Sequence, residues 1–293
     1  MARFLLSAFA DEAGNTLEEQ IAALKENNIK FIEPRFVGGK AILDHTDEEL
    51  KEVYEKLAEA GIKVNSLGSP IGKYDVTLPF EPHYELFEKA LKACKILHTD
   101  KMRMFSFFVE QDQLAEYRDK VIEGLKYMVK RATEEGITLC HENESKIYGQ
   151  MPREVLDVLT SVEGLGGIFD PANYRMNDGD VMDGIKATLT RLAYLHIKDA
   201  HYESQTVLPA GEGEGRIAEV INIVNAHTDA DIYLTLEPHL LDFLAYKSID
   251  THELRGKYSF KNNREAFDFA TNSLKKLLTE NGYREDGIGE WIK

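Results

Sequence analysis

Cysteine is scarce in this chain: 293 residues hold two, Cys94 and Cys140, far apart and in no CxxC pair. That count excludes a disulfide framework and a thiolate zinc site. The expectation is two buried thiols in a reducing, cytoplasmic setting. Positive charge is also short. Thirty-five Lys and Arg face 51 Asp and Glu, a formal net charge of −16. A nucleic-acid surface must present clustered cations to phosphates, so no nucleic-acid partner is expected. No apolar run approaches the ~18 residues that cross a bilayer, so no membrane span is expected. Arg3 and the apolar stretch from Phe4 to Ala10 have the outline of a signal peptide, but the stretch is short and Asp11 and Glu12 end it. We read it as a first β-strand. Nucleotide loops are missing too. The turn after that strand, Ala10-Asp11-Glu12-Ala13-Gly14-Asn15, has one glycine and two acids. No GxGxxG follows a strand, and no GxxxxGK[ST] is found.

What the chain does have is 43% hydrophobic and 29% charged residues, enough for a large core under a soluble surface. Short apolar runs alternate with long amphipathic stretches. Strands are predicted near Phe4–Ala8, Phe31–Arg35, Lys63–Leu67, Met102–Phe107, Thr138–Glu142, Gly167–Asp170, Ala193–Ile197 and Ile232–Glu237. Between them the apolar spacing is helical: Leu17, Ile21 and Leu24 share one face, and Leu50, Val53 and Leu57 another. Asp47 and Glu48 suit the positive end of a helix dipole, and Pro152 suits a first turn. Gly61 and Gly136 stand where a helix should stop and a strand begin. Eight strands alternating with helices and no Pro/Gly/Ser-rich linker predict one domain over residues 1–293, a parallel (β/α)8 TIM barrel. The alternative is an open doubly wound sheet, which usually has fewer strands and a glycine-rich first loop.

In a barrel the chemistry stands at the C-terminal ends of the strands. Four successive strands end in polar groups inside apolar runs: Glu142 on strand five, Asp170 on six, His196 on seven and Glu237 on eight. Three carboxylates and an imidazole drawn to one mouth repel unless a cation joins them. One divalent ion is therefore expected. The oxygen-rich set with one nitrogen favours Mn²⁺, with Mg²⁺, Co²⁺, Zn²⁺ or Fe²⁺ as alternatives. Residues two apart on a strand face the same way. Glu144 therefore goes with Glu142, Lys198 with His196, His239 with Glu237 and Arg35 with Glu33, as rim groups facing a substrate.

At these residues the chain resembles the xylose isomerase-like TIM barrel superfamily, the sugar phosphate isomerases and epimerases (AP endonuclease 2 family) that also include endonuclease IV. The matching pieces are Glu142-Asn143, Phe169-Asp170-Pro171-Ala172-Asn173, His196-Ile197-Lys198-Asp199 and Leu236-Glu237-Pro238-His239. Phe9-Ala10-Asp11-Glu12, Ser69-Pro70-Ile71-Gly72-Lys73, Arg103-Met104-Phe105-Ser106-Phe107 and Pro209-Ala210-Gly211-Glu212-Gly213 add to it. The resemblance implies metal ligation by Glu142, Asp170, His196 and Glu237. It also implies a small carbohydrate substrate and proton abstraction beside a carbonyl that the metal polarises. Glu142 and Glu237 would be the acid–base pair, Lys198 a further catalytic group, and Glu33, Arg35, Asn173 and His239 the substrate-binding set. The ketose epimerases of the group usually carry a histidine where Asn173 stands, and an arginine where Tyr202 and Glu203 stand. A lyase or hydratase acting on a keto-sugar or cyclic polyol ketone is therefore the alternative. A non-catalytic binding barrel and an endonuclease IV-like nuclease are minor ones, the latter for want of histidines on the early strands. The loop Ala200–Gly215 is expected to be a structured turn. The aromatic loop Leu240–Asn263, with Phe243, Tyr246, Tyr258 and Phe260, reads as packing, a lid or a dimer contact. A homo-oligomer is left open.

Overall fold

The computed structural model describes residues 1–244, 246, 257–287 and 289–293. Eight parallel barrel strands run in chain order: β1 (Arg3–Ala8), β2 (Phe31–Ile32), β3 (Lys63–Val64), β4 (Lys101–Met104), β5 (Thr138–Glu142), β6 (Gly166–Phe169), β7 (Leu192–Ile197) and β8 (Asp231–Leu236). Six of them form one ladder in the order β1, β8, β7, β6, β5, β4. The ring closes through β2 and β3, which pair in parallel with each other. Glu33 N donates to Ala8 O at 3.0 Å, joining β2 to β1, and Leu67 N donates to Lys101 O at 2.9 Å, joining the chain after β3 to β4. The C-terminal hairpin Arg284–Glu285/Glu290–Ile292 pairs with Phe4 and Leu5 at the start of β1.

Strands two and three are shorter than the apolar runs predict, Ile32 and Val64 being their last regular residues. After Ile32 the chain meets Pro34, which has no N–H to give a ladder. Among the described residues the helices include α1 (Leu17–Glu26), α2 (Asp47–Glu59), α3 (Glu81–Ile96), α4 (Leu114–Glu134), α5 (Pro152–Ser161), α6 (Pro171–Met176), α7 (Val181–Thr188), α8 (Ile217–His227) and α9 (Asn263–Glu280). Thr16 and Thr46 open α1 and α2 with capping boxes closed by Glu19 and Glu49. Pro152 opens α5, as expected. Gly61 and Gly136 take φ of +73° and +74° at the turns into β3 and β5, the left-handed conformation their placement called for. Among the described residues no helix is long and apolar enough to cross a membrane.

The main core lies between strands and helices, from Ala2 to Trp291. A separate small cluster holds Cys140, Ile168 and Tyr194, with Tyr233 packed against it. Each of the first three stands two positions before Glu142, Asp170 or His196. By strand alternation this cluster is an apolar floor inside the barrel, directly below those three side chains. Both cysteines are buried and free.

Candidate metal centre

Each donor is placed by the last turn of a regular strand. Glu142 ends β5, Asp170 follows β6, His196 is the fifth residue of β7, and Glu237 follows β8. One ligand atom from each of the four lies within 4.8 Å of the others, and all four residues are buried. Opposite oxygens around a hard divalent ion at 2.0–2.1 Å stand ~4.2 Å apart, so the spread fits one ion. Asp170 Oδ1 accepts the backbone N–H of Asn173 at 3.0 Å and caps α6, while Oδ2, buried, accepts no hydrogen bond. Asn143 locks Asp170 from the neighbouring strand: its side chain donates to Asp170 O and accepts from Asp170 N, both at 2.9 Å. The donor set and the orphaned Asp170 Oδ2 fit a divalent ion, which Glu142, Asp170, His196 and Glu237 would hold.

The imidazole of His196 is held from both sides. Nδ1 is 2.9 Å from Glu142 Oε1 and 3.4 Å from Glu237 Oε2, so it faces the donor set. Nε2 is 3.3 Å from Glu33 Oε2. Glu33 itself is 0% exposed and accepts from Tyr194 Oη at 2.9 Å. Sequence alternation put Glu33 at the rim as a substrate-binding group. The structure puts it one layer deeper, behind His196, in the place of a carboxylate that orients a metal-ligating imidazole.

The other sequence-derived residues converge on a small polar cavity above the donors. Arg35, Asn173, Lys198, His239, Glu144 and Glu237 all line it. Lys198 Nζ is 3.1 Å from Asp170 Oδ2 and 3.4 Å from Glu237 Oε2. Asn173 Nδ2 donates to Asn143 O at 2.8 Å and to Glu142 Oε1 at 3.4 Å. Arg35 donates to Asp11 Oδ2 at 3.1 Å, Glu12 Oε1 at 3.2 Å and Glu237 Oε1 at 2.9 Å. Four groups at this mouth escaped sequence reasoning as site residues. Asp11 and Glu12, which end the first apolar run, anchor Arg35. Arg103, at the end of β4, donates to Glu142 Oε2 at 3.3 Å and lines the cavity with Lys73.

Burial and charge pull against each other here. Burial alone raises every carboxylate. For Glu142 it is outweighed by His196 and Arg103, which bring its pKa down to about 2. Against burial, Lys198 and His196 likewise hold Glu237 well below the usual range. Asp170 is left at about 7, burial and its acidic neighbours overcoming Lys198. Burial disfavours a charged His196, but Glu142 and Glu33 override it and hold the imidazole well above its ordinary value. A carboxylate cluster this dense thus recruits every cation in reach.

The loop after β7 is structured as expected. It forms the hairpin Asp199–His201/Thr206–Leu208. The carboxylate of Asp199 then gathers the backbone N–H groups of Gly211, Gly213 and Gly215 at 2.8–3.0 Å. Of the aromatic loop, Phe243 and Tyr246 pack on His239, Tyr258 and Phe260 pack on Phe269, and residues 245 and 247–256 lie outside the described residues.

A family model described as xylose isomerase-like TIM barrel matches residues 21–250. Among solved structures the chain resembles the probable 3-DHS dehydratase AsbF, involved in petrobactin synthesis, from Bacillus anthracis. Identity is 13%, over 94% of this chain and 99% of that one, with a TM-score of 0.69. It resembles a D-psicose 3-epimerase solved in the presence of D-fructose, at 16% identity over 95% and 99% of the chains and a TM-score of 0.69. It also resembles the IolI protein with a binding zinc atom, at 13% identity, 95% and 99% coverage and a TM-score of 0.69. A comparison with curated protein sequences gives no match. At such identities the structural likenesses establish the fold.

Proposed function

Because the chain belongs to the xylose isomerase-like TIM barrel family, we propose that it is a metal-dependent isomerase or epimerase acting on a small sugar or sugar phosphate. One observation carries this reading: the four buried donors Glu142, Asp170, His196 and Glu237, with ligand atoms within 4.8 Å, at the floor of a polar cavity. Glu142, Asp170, His196 and Glu237 would hold a divalent ion, Mn²⁺ by our preference, which would supply Lewis acidity toward a substrate carbonyl. The chain's own residues do the rest. Glu142 and Glu237 each turn one oxygen to His196 and the other to a cation, Arg103 or Arg35. They are the acid–base pair, taking a proton from one face of the substrate carbon and returning it from the other. Arg35, Asn173 and His239 offer donors to hydroxyls, Lys198 stabilises negative charge on oxygen, and Glu33 keeps His196 oriented.

A second reading, a lyase or dehydratase of a keto-sugar or cyclic polyol ketone, is favoured by Lys198, an ammonium in the cavity placed to hydrogen-bond a departing hydroxyl. The test is a panel of ketoses, ketose phosphates, inosose-type cyclic ketones and 3-keto-glucosides, run on metal-loaded and chelator-stripped protein. The expected result is metal-dependent interconversion, with solvent deuterium entering the substrate carbon. Dehydrated products alone select the second reading. Turnover that ignores the chelator, or turnover of abasic DNA and nothing else, overturns both.

A further inference from the structure

The cavity above the donors is lined by four cations, Arg35, Lys73, Arg103 and Lys198, against two carboxylates, Glu144 and Glu237. This concentration stands out in a chain of net charge −16. Two of the cations are buried yet loosely held. Arg103 is 6% exposed and Lys198 7%. A buried cation needs close partners, and charge-assisted bonds usually close to 2.7–2.9 Å. The protein makes such bonds even near its surface: Arg118 meets Asp157 at 2.8 and 2.6 Å, and Arg131 meets Glu88 at 2.8 and 2.9 Å. Arg103 does not. Its contacts with Glu142 Oε2, Ser69 O and Gly68 O are 3.3, 3.3 and 3.5 Å. Lys198 reaches Asp170 Oδ2 at 3.1 Å without hydrogen-bond geometry and Glu237 Oε2 at 3.4 Å. Arg35 is a useful control, since it lines the same cavity but is engaged by three carboxylates.

Two further facts bear on what these donors wait for. The guanidinium of Arg103 lies over Phe9 and Phe105, at 4.9 and 5.1 Å from the ring centroids, which fixes its plane before anything binds. The carboxylates that Arg103 and Lys198 do touch, Glu142, Asp170 and Glu237, are the proposed ligand set. Ion binding draws on the same oxygens and leaves the cations' N–H groups in still greater need of an acceptor. We propose, building on the functional reading above, that the substrate carries an anionic oxygen group, a carboxylate or a phosphate, which Arg103 and Lys198 bind beside the reacting carbon.

The test is calorimetric titration of the metal-loaded protein with D-fructose, D-fructose 6-phosphate and 2-keto-D-gluconate, read as binding and not as turnover. At least one anion should bind ~10–100-fold tighter than fructose. Arg103→Gln and Lys198→Gln should each weaken anion binding more than fructose binding and so remove most of that preference. Preference for the keto-acid identifies a carboxylate, and preference for the phosphate ester identifies a phosphate. Arg103→Lys, which keeps the charge and loses the fork, should keep a weakened preference. Metal content and melting temperature, measured on every variant, separate anion binding from folding. Equal affinity for all three probes overturns the inference, as does an Arg103→Gln loss shared equally by fructose and the anions. Anion preference without turnover of any sugar discards the isomerase reading and keeps this inference. Turnover of fructose without anion preference does the reverse.

Discussion

The two halves of the barrel mouth are built differently. On the β5–β8 side, regular strands of four to six residues run in one ladder, and a donor stands at or just past the end of each. Neighbouring strands lock those donors further, as Asn143 locks Asp170. On the β1–β4 side, two strands are only two residues long. Much of the chemistry there comes from irregular segments after β1, β2 and β3: Asp11 and Glu12, Arg35, and Lys73. One half gathers carboxylates round a place for an ion, and the other supplies three of the four cavity cations, Arg35, Lys73 and Arg103, with Asp11 and Glu12 anchoring Arg35. They meet at Glu237, whose Oε2 is 3.4 Å from His196 Nδ1 and whose Oε1 is 2.9 Å from Arg35. Ligand geometry has to be held to fractions of an ångström, which strands do better than loops. Charge compensation tolerates looser geometry, and loops supply it.

If that division holds, substitutions in the strand half remove function, and substitutions in the loop half remove stability. The largest effect belongs to Glu142→Gln and Glu237→Gln. Each should lower turnover by ~10²–10⁴-fold, the usual share of acid–base catalysis, and by more if metal is lost too. Metal analysis of each variant separates the two losses. Full activity with metal retained would move the acid–base roles elsewhere, Lys198 and His239 being next in line. In the loop half, Arg35→Met leaves Asp11 and Glu237 without their shared counter-charge and Glu12 without its side-chain donor. All three are buried. Stripped of metal, this variant should lose ~3–5 kcal/mol in urea denaturation, the scale for breaking a buried ion pair. An unchanged midpoint with lost turnover would leave Arg35 with its substrate-handling role alone, and the division between the halves would fail.

The same division explains what the sequence made legible. Glu142, Asp170, His196 and Glu237 each interrupt an apolar run, and the eight-strand rhythm sends those runs to one mouth. Alternation then carried Arg35, Glu144, Lys198 and His239 to the rim, and all four line the cavity. The half built on irregular segments was harder to read. Pro34 turns the chain just past Glu33, which is buried behind His196 instead of facing a substrate. Arg103 sits between Met102 and Met104, all three buried, so no alternation marks it. Asp11 and Glu12 look like ordinary acids that close a strand. Their partner Arg35 lies more than twenty residues on, and only the closed barrel brings the three together.

A pH-dependent effect, near zero at pH 5, tests whether every acid in the loop half is there as a charge. Burial, aided by Glu237 and Asp11 and opposed by Arg35, pushes the Glu12 carboxyl from its ordinary 4.5 up to about 8. Its neighbour His239 is pushed down to about 4, chiefly by burial, and is neutral at pH 7. His239 Nε2 has no hydrogen bond and lies 3.4 Å from Glu12 Oε1, where a protonated carboxyl has an acceptor facing it. The folded state thus holds a proton that the unfolded chain releases above about pH 4.5. Below that pH both states are protonated and Glu12 has no effect. Between 4.5 and 8 the unfolded state alone gains from ionising, so stability falls, and above 8 the loss is constant. Glutamine imitates the protonated form and cannot ionise. In metal-stripped protein, Glu12→Gln should therefore match the wild type near pH 5. It should gain on it by at most ~1.4 kcal/mol per pH unit toward pH 8, read from urea midpoints. A variant that instead falls behind as the pH rises would show that Arg35 needs Glu12 ionised, and that acids in both halves of the mouth act as charges.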